Sequence, residues 1–171
     1  MPGYDSLANF PVLGPGTALA TSTTLTDISP VPQFTIAAGT LTVGSSFRVT
    51  AHGVFSNTAT PTLLLGVYYG GVAGVALATT GAVTTTTTIT NVPWHLEYVF
   101  TVRSTGATGS AFGHGWVDLG TSVSAVSHLP IPNTANAAVT IDTTTAKTLT
   151  IGAQWGCLLY TSDAADEGLG V

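Results

Sequence analysis

Alternation of apolar and polar residues dominates the chain. In Trp94–Arg103, the residues Trp94, Leu96, Tyr98, Phe100 and Val102 share one face. His95, Glu97, Val99, Thr101 and Arg103 share the other. That period of two is the signature of a half-buried strand. Phe47–Phe55 repeats it, with Phe47, Val49 and Ala51 set against Arg48, Thr50 and His52. Ser110–Leu119 alternates Phe112, His114, Trp116 and Asp118 with small residues. Thr62–Tyr69 is apolar on both faces, which predicts a central strand or one buried at a subunit contact.

Weaker segments fill the rest. Ala18–Ile28 is Thr-rich and reads as extended, and Gln33–Ile36 and Leu41–Val43 read as short strands. Val72–Thr79 and Ala82–Thr90 flank Gly81. Val139–Ile141 and Thr148–Trp155 close the readable part, and His128–Asn133 is broken by prolines. Ala38-Gly39, Ser56-Asn57-Thr58, Gly70-Gly71 and Gly106–Gly109 mark turns or loops. Thr40-Leu-Thr-Val-Gly44 and Thr148-Leu-Thr-Ile-Gly152 echo each other and read as one loop-into-strand device used twice. Eight to ten short strands with no helical period between them predict an all-β, antiparallel β-sandwich of jelly-roll type. A parallel α/β fold needs crossover helices, and the pattern offers none.

Composition sharpens this picture. Charged residues make up 6% of the 171 residues, against roughly 25% in an average domain. Solubility therefore falls to Thr, Ser, Asn and Gly, and Thr suits an exposed strand face. The basic residues are Arg48, Arg103 and Lys147, too few for the phosphate-neutralising cluster that nucleic acid demands. They are too few for a polybasic membrane patch as well. No apolar run reaches membrane-spanning length, so membrane insertion is not expected. The N-terminus carries no signal-peptide pattern, and the lone Cys157 cannot form an internal disulfide.

The domain reading has three parts. Residues 1–17 are punctuated by Pro2, Gly3, Pro11, Gly14, Pro15 and Gly16 and form an irregular N-terminal arm. Residues 18–156 form the sandwich. Residues 157–171 break the Thr/Gly/Val alternation and hold Asp163, Asp166 and Glu167 with no base. The run CLLYTSDAADE at 157–167 resembles the translation of a transposase-based sequencing adapter, so residues 157–171 read as a non-native tail and no function is placed there.

Chemistry has few candidates. His52, His95, His114 and His128 include no pair at the spacing typical of zinc ligands. His95 and Glu97 share a strand face two residues apart. With a third group they could hold a metal, or they could form part of a polar outer face. Gly113-His-Gly-Trp116 places His114 between glycines, where it reads as a crowded packing position. There is no Gly-x-Ser-x-Gly elbow and no phosphate-binding glycine loop. Asp27, Glu97, Asp118 and Asp142 are far apart in sequence for a glycosidase pair. Glu97 and Arg103, about 20 Å apart on one strand at ~3.3 Å per residue, predict partners on other strands or subunits. Of Tyr68, Tyr69, Trp94, Tyr98, Trp116 and Trp155, most fall on inner faces, leaving Tyr68 and the Asn/Thr loops for sugar stacking. No catalytic, cofactor-binding or metal-binding residue is assigned, no cofactor is expected, and the chain reads as a non-enzyme.

Leu25–Gly71 resembles a family of small virion proteins of tailed bacteriophages, of the head-decoration and minor-tail kind. The likeness continues through Trp94–Arg103 (WHLEYVFTVR), Gly113–Ser122 (GHGWVDLGTS) and Thr140–Gly156 (TIDTTTAKTLTIGAQWG). The resemblance implies a trimeric jelly roll of the C1q/TNF type, located on the virion. It implies contacts with other virion proteins, with a host-surface glycan as a further partner, and it carries over no active residue. Members continue past Gln-Trp-Gly with a polar turn and one more apolar strand. The sandwich is therefore expected to lack its last strand, to expose a sheet edge and to be less stable than a complete product. The alternative is a carbohydrate-binding module for host attachment.

Overall fold

A computed structural model describes residues 16, 18–20, 22–29, 33–122 and 124–156. Its strands are β1 (Thr26–Asp27), β2 (Phe34–Ile36), β3 (Ser46–Asn57), β4 (Thr62–Tyr69), β5 (Val75–Thr79) and β6 (Val83–Thr84). They continue with β7 (Ile89–Ser104), β8 (Gly109–Ser122), β9 (Ala125–Ile131), β10 (Val139–Ile141) and β11 (Lys147–Trp155). All pairings are antiparallel. A 6-stranded sheet runs β1-β11-β4-β5, with β2 also on β11 and β6 also on β4. A 5-stranded sheet runs β10-β8-β7-β3, with β9 also on β8. The all-β antiparallel sandwich expected from the alternation is therefore what forms, with a jelly-roll-like pair of sheets. The chain changes sheet between β2 and β3, β3 and β4, β6 and β7, and β10 and β11.

The core lies between the sheets. The even residues of β7, from Trp94 to Val102, are at most 9% exposed. They face Leu65, Val67 and Tyr69 of β4 within one apolar cluster. β4 keeps the predicted bounds and is central, flanked by β11 and β5. Gly70 and Gly71 end it with φ of 91° and 78°, a left-handed turn that a β-carbon would strain.

Glycines also make room inside. Gly113 and Gly115 lie opposite Phe100 and Tyr98. A β-carbon on Gly113 would stand 2.6 Å from the Tyr98 hydroxyl. The crowding expected around His114 belongs to these inward glycines. His114 itself points outward and is exposed.

Several local expectations are corrected. Among the described residues of the Thr-rich stretch, only Thr26–Asp27 pairs as strand. Leu41–Val43 is not a strand, and Leu41 instead plugs the core at 6% exposure. The echo between Thr40–Gly44 and Thr148–Gly152 is therefore not structural, because the first copy is loop and the second lies within β11. The Pro-broken segment is strand from Ala125, with Pro130 inside β9. β9 pairs only with β8, and an edge strand tolerates a residue that cannot donate to a ladder.

β3 is also an edge. Its 12 residues pair with β7 alone, and its inward Phe47, Val49 and Ala51 are only half-buried. The expected missing strand, the adapter-like run and most of the N-terminal arm lie outside the described residues.

Candidate functional site

The odd residues of β7 and the even residues of β3, β8 and β9 form the outer face of the 5-stranded sheet. Registers cross it in rows. His52 of β3 is opposite His95 of β7, His95 is opposite Asp118 of β8, and Asp118 is opposite His128 of β9. The next row is Thr50, Glu97, Trp116 and Pro130. Beyond it Arg48, Val99 and His114 align. Eight of the eleven Asp, Glu, His, Lys and Arg side chains among the described residues share this face. The other three are Asp27, Asp142 and Lys147.

Both carboxylates of the face have partners. Arg48 Nε stands 3.6 Å from Glu97 Oε1, the cross-strand partner that Glu97 was expected to find. Arg48 is exposed while Glu97 is partly covered, and at 3.6 Å with one solvated partner the pair contributes little to stability. His128 Nδ1 lies 2.6 Å from Asp118 Oδ1, and its ring tilts against Trp116 at a centroid distance of 6.0 Å. Arg103 stands over the Phe112 ring at 6.0 Å, a cation–π contact in place of a salt bridge. His52, His95 and His114 have no hydrogen-bonding or ionic partner among the described residues.

The candidate chemistries sort accordingly. His95 and Glu97 gain no third ligand, since no group of three such side chains is arranged to hold a metal among the described residues. Asp118 and His128 form an acid–imidazole pair that the sequence reading missed, but no hydroxyl is hydrogen-bonded to His128 among the described residues. Asp27 is held by Ser29 and Gln33. Asp142 is held by Thr144 and Thr145, and these hydroxyls pull its carboxyl down to about 2.

Tyr68, kept for sugar stacking, is only 5% exposed. Its ring lies over Gly152, and burial raises its phenol. Tyr69, Tyr98 and Trp94 are core residues. Trp116 and Phe112 are the half-exposed aromatic rings of the outer face.

The molecule also has a cleft of about 570 Å³ beneath β3. Phe55, Leu63, Leu65, Trp94, Ile151 and Trp155 line it, and His52 is its single titratable side chain among the described residues. Phe55 and Trp155 meet there at 6.1 Å. Gly53, opposite Trp94 in the register, admits the indole.

No known protein family, no curated protein and no solved structure matches this chain.

Proposed function

We propose that the chain is a non-enzymatic structural protein of a bacteriophage virion, acting as a capsid decoration, a head fibre or a tail-associated part, and assembled as a homotrimer with other virion proteins. The observation that carries this reading is the separation of ionisable groups from enclosed space. A reaction site concentrates titratable groups in a cleft. Here eight of the eleven among the described residues lie on an open sheet face, whereas the cleft is mainly apolar, with His52 as the one titratable side chain among its described lining residues. The resemblance of residues 20–156 to small tailed-phage virion proteins points the same way. The Thr-rich, charge-poor surface suits packing against further copies. Purified phage particles whose genome carries this gene, probed with an antibody against residues 18–156, test the reading. Antibody bound to intact particles supports it. Protein found only in cell lysate overturns it. Sedimentation at micromolar concentration tests the trimer, and a monomer overturns that part.

A second reading, a carbohydrate-binding module used in host attachment, is favoured by one observation. Trp116 with His128, and Phe112 with Arg103, place aromatic rings beside polar groups on an accessible face. Binding on a glycan array that disappears in Trp116→Ala supports it.

A further inference from the structure

We propose that the cleft beneath β3 seats the chain's own N-terminal arm, which runs alongside the free edge of β3 and turns Ala8, Phe10 and Val12 into the space between the sheets. The proposal goes beyond the virion reading and does not depend on it.

The receiving side has two unmet needs. β3 pairs with β7 alone, so along its 12 residues one row of backbone groups faces away from the sheet. Such an edge takes up an extended segment. Its inward Phe47, Val49 and Ala51 are only half-buried, and the cleft of about 570 Å³ opens beside them. The second need is polar. Trp94 and Trp155 line the cleft, and neither indole N–H has an acceptor among the described residues. Indole donates and does not accept, and buried tryptophan ordinarily finds a partner. The occupant therefore brings acceptors as well as apolar bulk. A peptide does so with its carbonyl oxygens, and a plain hydrocarbon does not.

The chain itself delivers an occupant. Gly16, Ala18 and Leu19 line the same cleft, so residues 1–15 are tethered at its wall. A short tether holds a segment at an effective concentration of roughly millimolar, above that of a separate partner in micromolar solution. Direction follows from the sheets. Phe47 meets Phe34, which is opposite Leu149, and Phe55 meets Trp155. β3 and β11, in facing sheets, therefore run in the same sense. Thr26–Asp27 runs antiparallel to β11, and the Trp155 backbone N–H donates to the Ser22 carbonyl. A segment before Gly16 that lies along β3 thus runs parallel to β3, and Gly14-Pro15-Gly16 supplies the reversal.

Parallel pairing selects the side chains that point in. Val102 exchanges backbone bonds with Gly44 and Ser45. Stepping by two along the β3–β7 register puts the backbone groups of Phe47, Val49 and Ala51 on the bonded side. Those of Arg48, Thr50, His52 and Val54 are left on the free edge. Pro11 has no N–H to give them, so it belongs on the far side of the new strand, and Phe10 and Val12 bond to β3. In a parallel pair such residues sit level with the inward ones of β3 and face the same way. The face that the backbone selects is therefore the apolar one. Residues 6–15 carry no charge, whereas the run after Gly156 holds Asp163, Asp166 and Glu167, which an apolar cleft excludes.

The test follows amide hydrogen exchange in the full chain. The amides of Arg48, Thr50, His52 and Val54 are expected to be protected. In the double variant Phe10→Ser, Val12→Ser they should exchange at least about tenfold faster, with the rest of the sandwich unchanged. Leu7→Ser with Leu13→Ser, on the other face of the arm, should change those rates less than about twofold. Free exchange of the four amides in the parent overturns the proposal, and so does equal loss in both double variants. Protection that survives the arm variants and disappears on deleting residues 157–171 assigns the cleft to the C-terminal run and overturns it as well. Cross-linking Asn9→Cys to Thr50→Cys with a short bismaleimide, in a Cys157→Ser background, identifies whose arm is seated. A link within one chain supports the proposal. A link joining two chains assigns the arm to a second copy and overturns it.

Discussion

Tyr98→Phe isolates one hydrogen bond between the two sheets. Tyr98 is 1% exposed in the middle of β7, and its hydroxyl donates to the Leu77 carbonyl at 3.2 Å. Leu77 sits in β5 where the register with β4 shifts. Val67 is opposite Ala78 and Tyr68 is opposite Ala76, so Leu77 has no residue opposite it. A bulge of this kind interrupts the ladder, and the phenol supplies a donor there. Removing the hydroxyl costs the net value of one hydrogen bond, about 1 kcal/mol, rising to about 3 kcal/mol if the buried carbonyl stays dry. A domain of this size loses roughly 2–4 °C per kcal/mol, so the variant should melt about 2–12 °C lower at neutral pH. The pH dependence gives a second check. Burial pushes the Tyr98 phenol up to about 12, against about 10 in an unfolded chain. A group raised on folding lends stability that is complete below pH ~10 and is lost as pH climbs toward about 12. Phenylalanine has no such dependence, so the deficit of the variant should shrink across that window. Melting curves of both proteins at neutral pH and at two alkaline values decide the matter. A variant as stable as the parent at neutral pH would refute the bulge-carbonyl reasoning.

Thr150→Val should stabilise the protein by about 1 kcal/mol, read from a denaturant midpoint, because Thr150 is 1% exposed and its hydroxyl has no partner among the described residues. Gly115→Ala should destabilise it by about 1–3 kcal/mol or prevent folding. Its β-carbon would run into the Glu97 carbonyl oxygen and stand 2.6 Å from Tyr98 Cα, and backbone cannot rotate aside. Far-ultraviolet circular dichroism and a melt distinguish those outcomes. Asp142→Asn should flatten the acid limb of a stability curve. The parent carboxyl is held down to about 2 by hydrogen bonds from Thr144 and Thr145, so its contribution is present above pH ~4 and fades as pH falls toward about 2.

The strands with strong alternation were legible from sequence because burial alone fixes them. The span Trp94–Arg103 needed only the period of two, and β4 needed only its continuous apolar run and the Gly70-Gly71 turn that ends it. Leu41–Val43 was misread for a physical reason: one apolar residue can plug a core from a loop, and three residues are too short for a period to show. β9 was misread because Pro130 reads as a breaker, and proline loses that meaning on an edge strand. In Gly113-His-Gly-Trp116 the alternation was visible, but its sense was inverted. The glycines face inward to admit Phe100 and Tyr98, so the large polar residues are the exposed ones.

The outer face was hidden for a different reason. Periodicity along a strand says which side chains share a face, but it does not say which residues sit beside them on neighbouring strands. His52 and His95 are 43 positions apart and meet only through the β3–β7 register. Asp118 and His128 were closer to being readable. They lie ten positions apart on the paired strands β8 and β9, and a register shift between Gly120 and Ser122 sets them opposite one another. Recognising β9 as a strand would have brought the two residues near each other, but the exact pairing also depends on the register shift between Gly120 and Ser122. The remaining rows follow once one register per strand pair is known, because each step of two residues along β7 moves the contact by two on both neighbours in the opposite direction. Two hairpins, β7–β8 and β8–β9, and one long-range pairing, β3–β7, therefore convert a scattered set of histidines into a row, on the face that holds eight of the eleven ionisable side chains among the described residues.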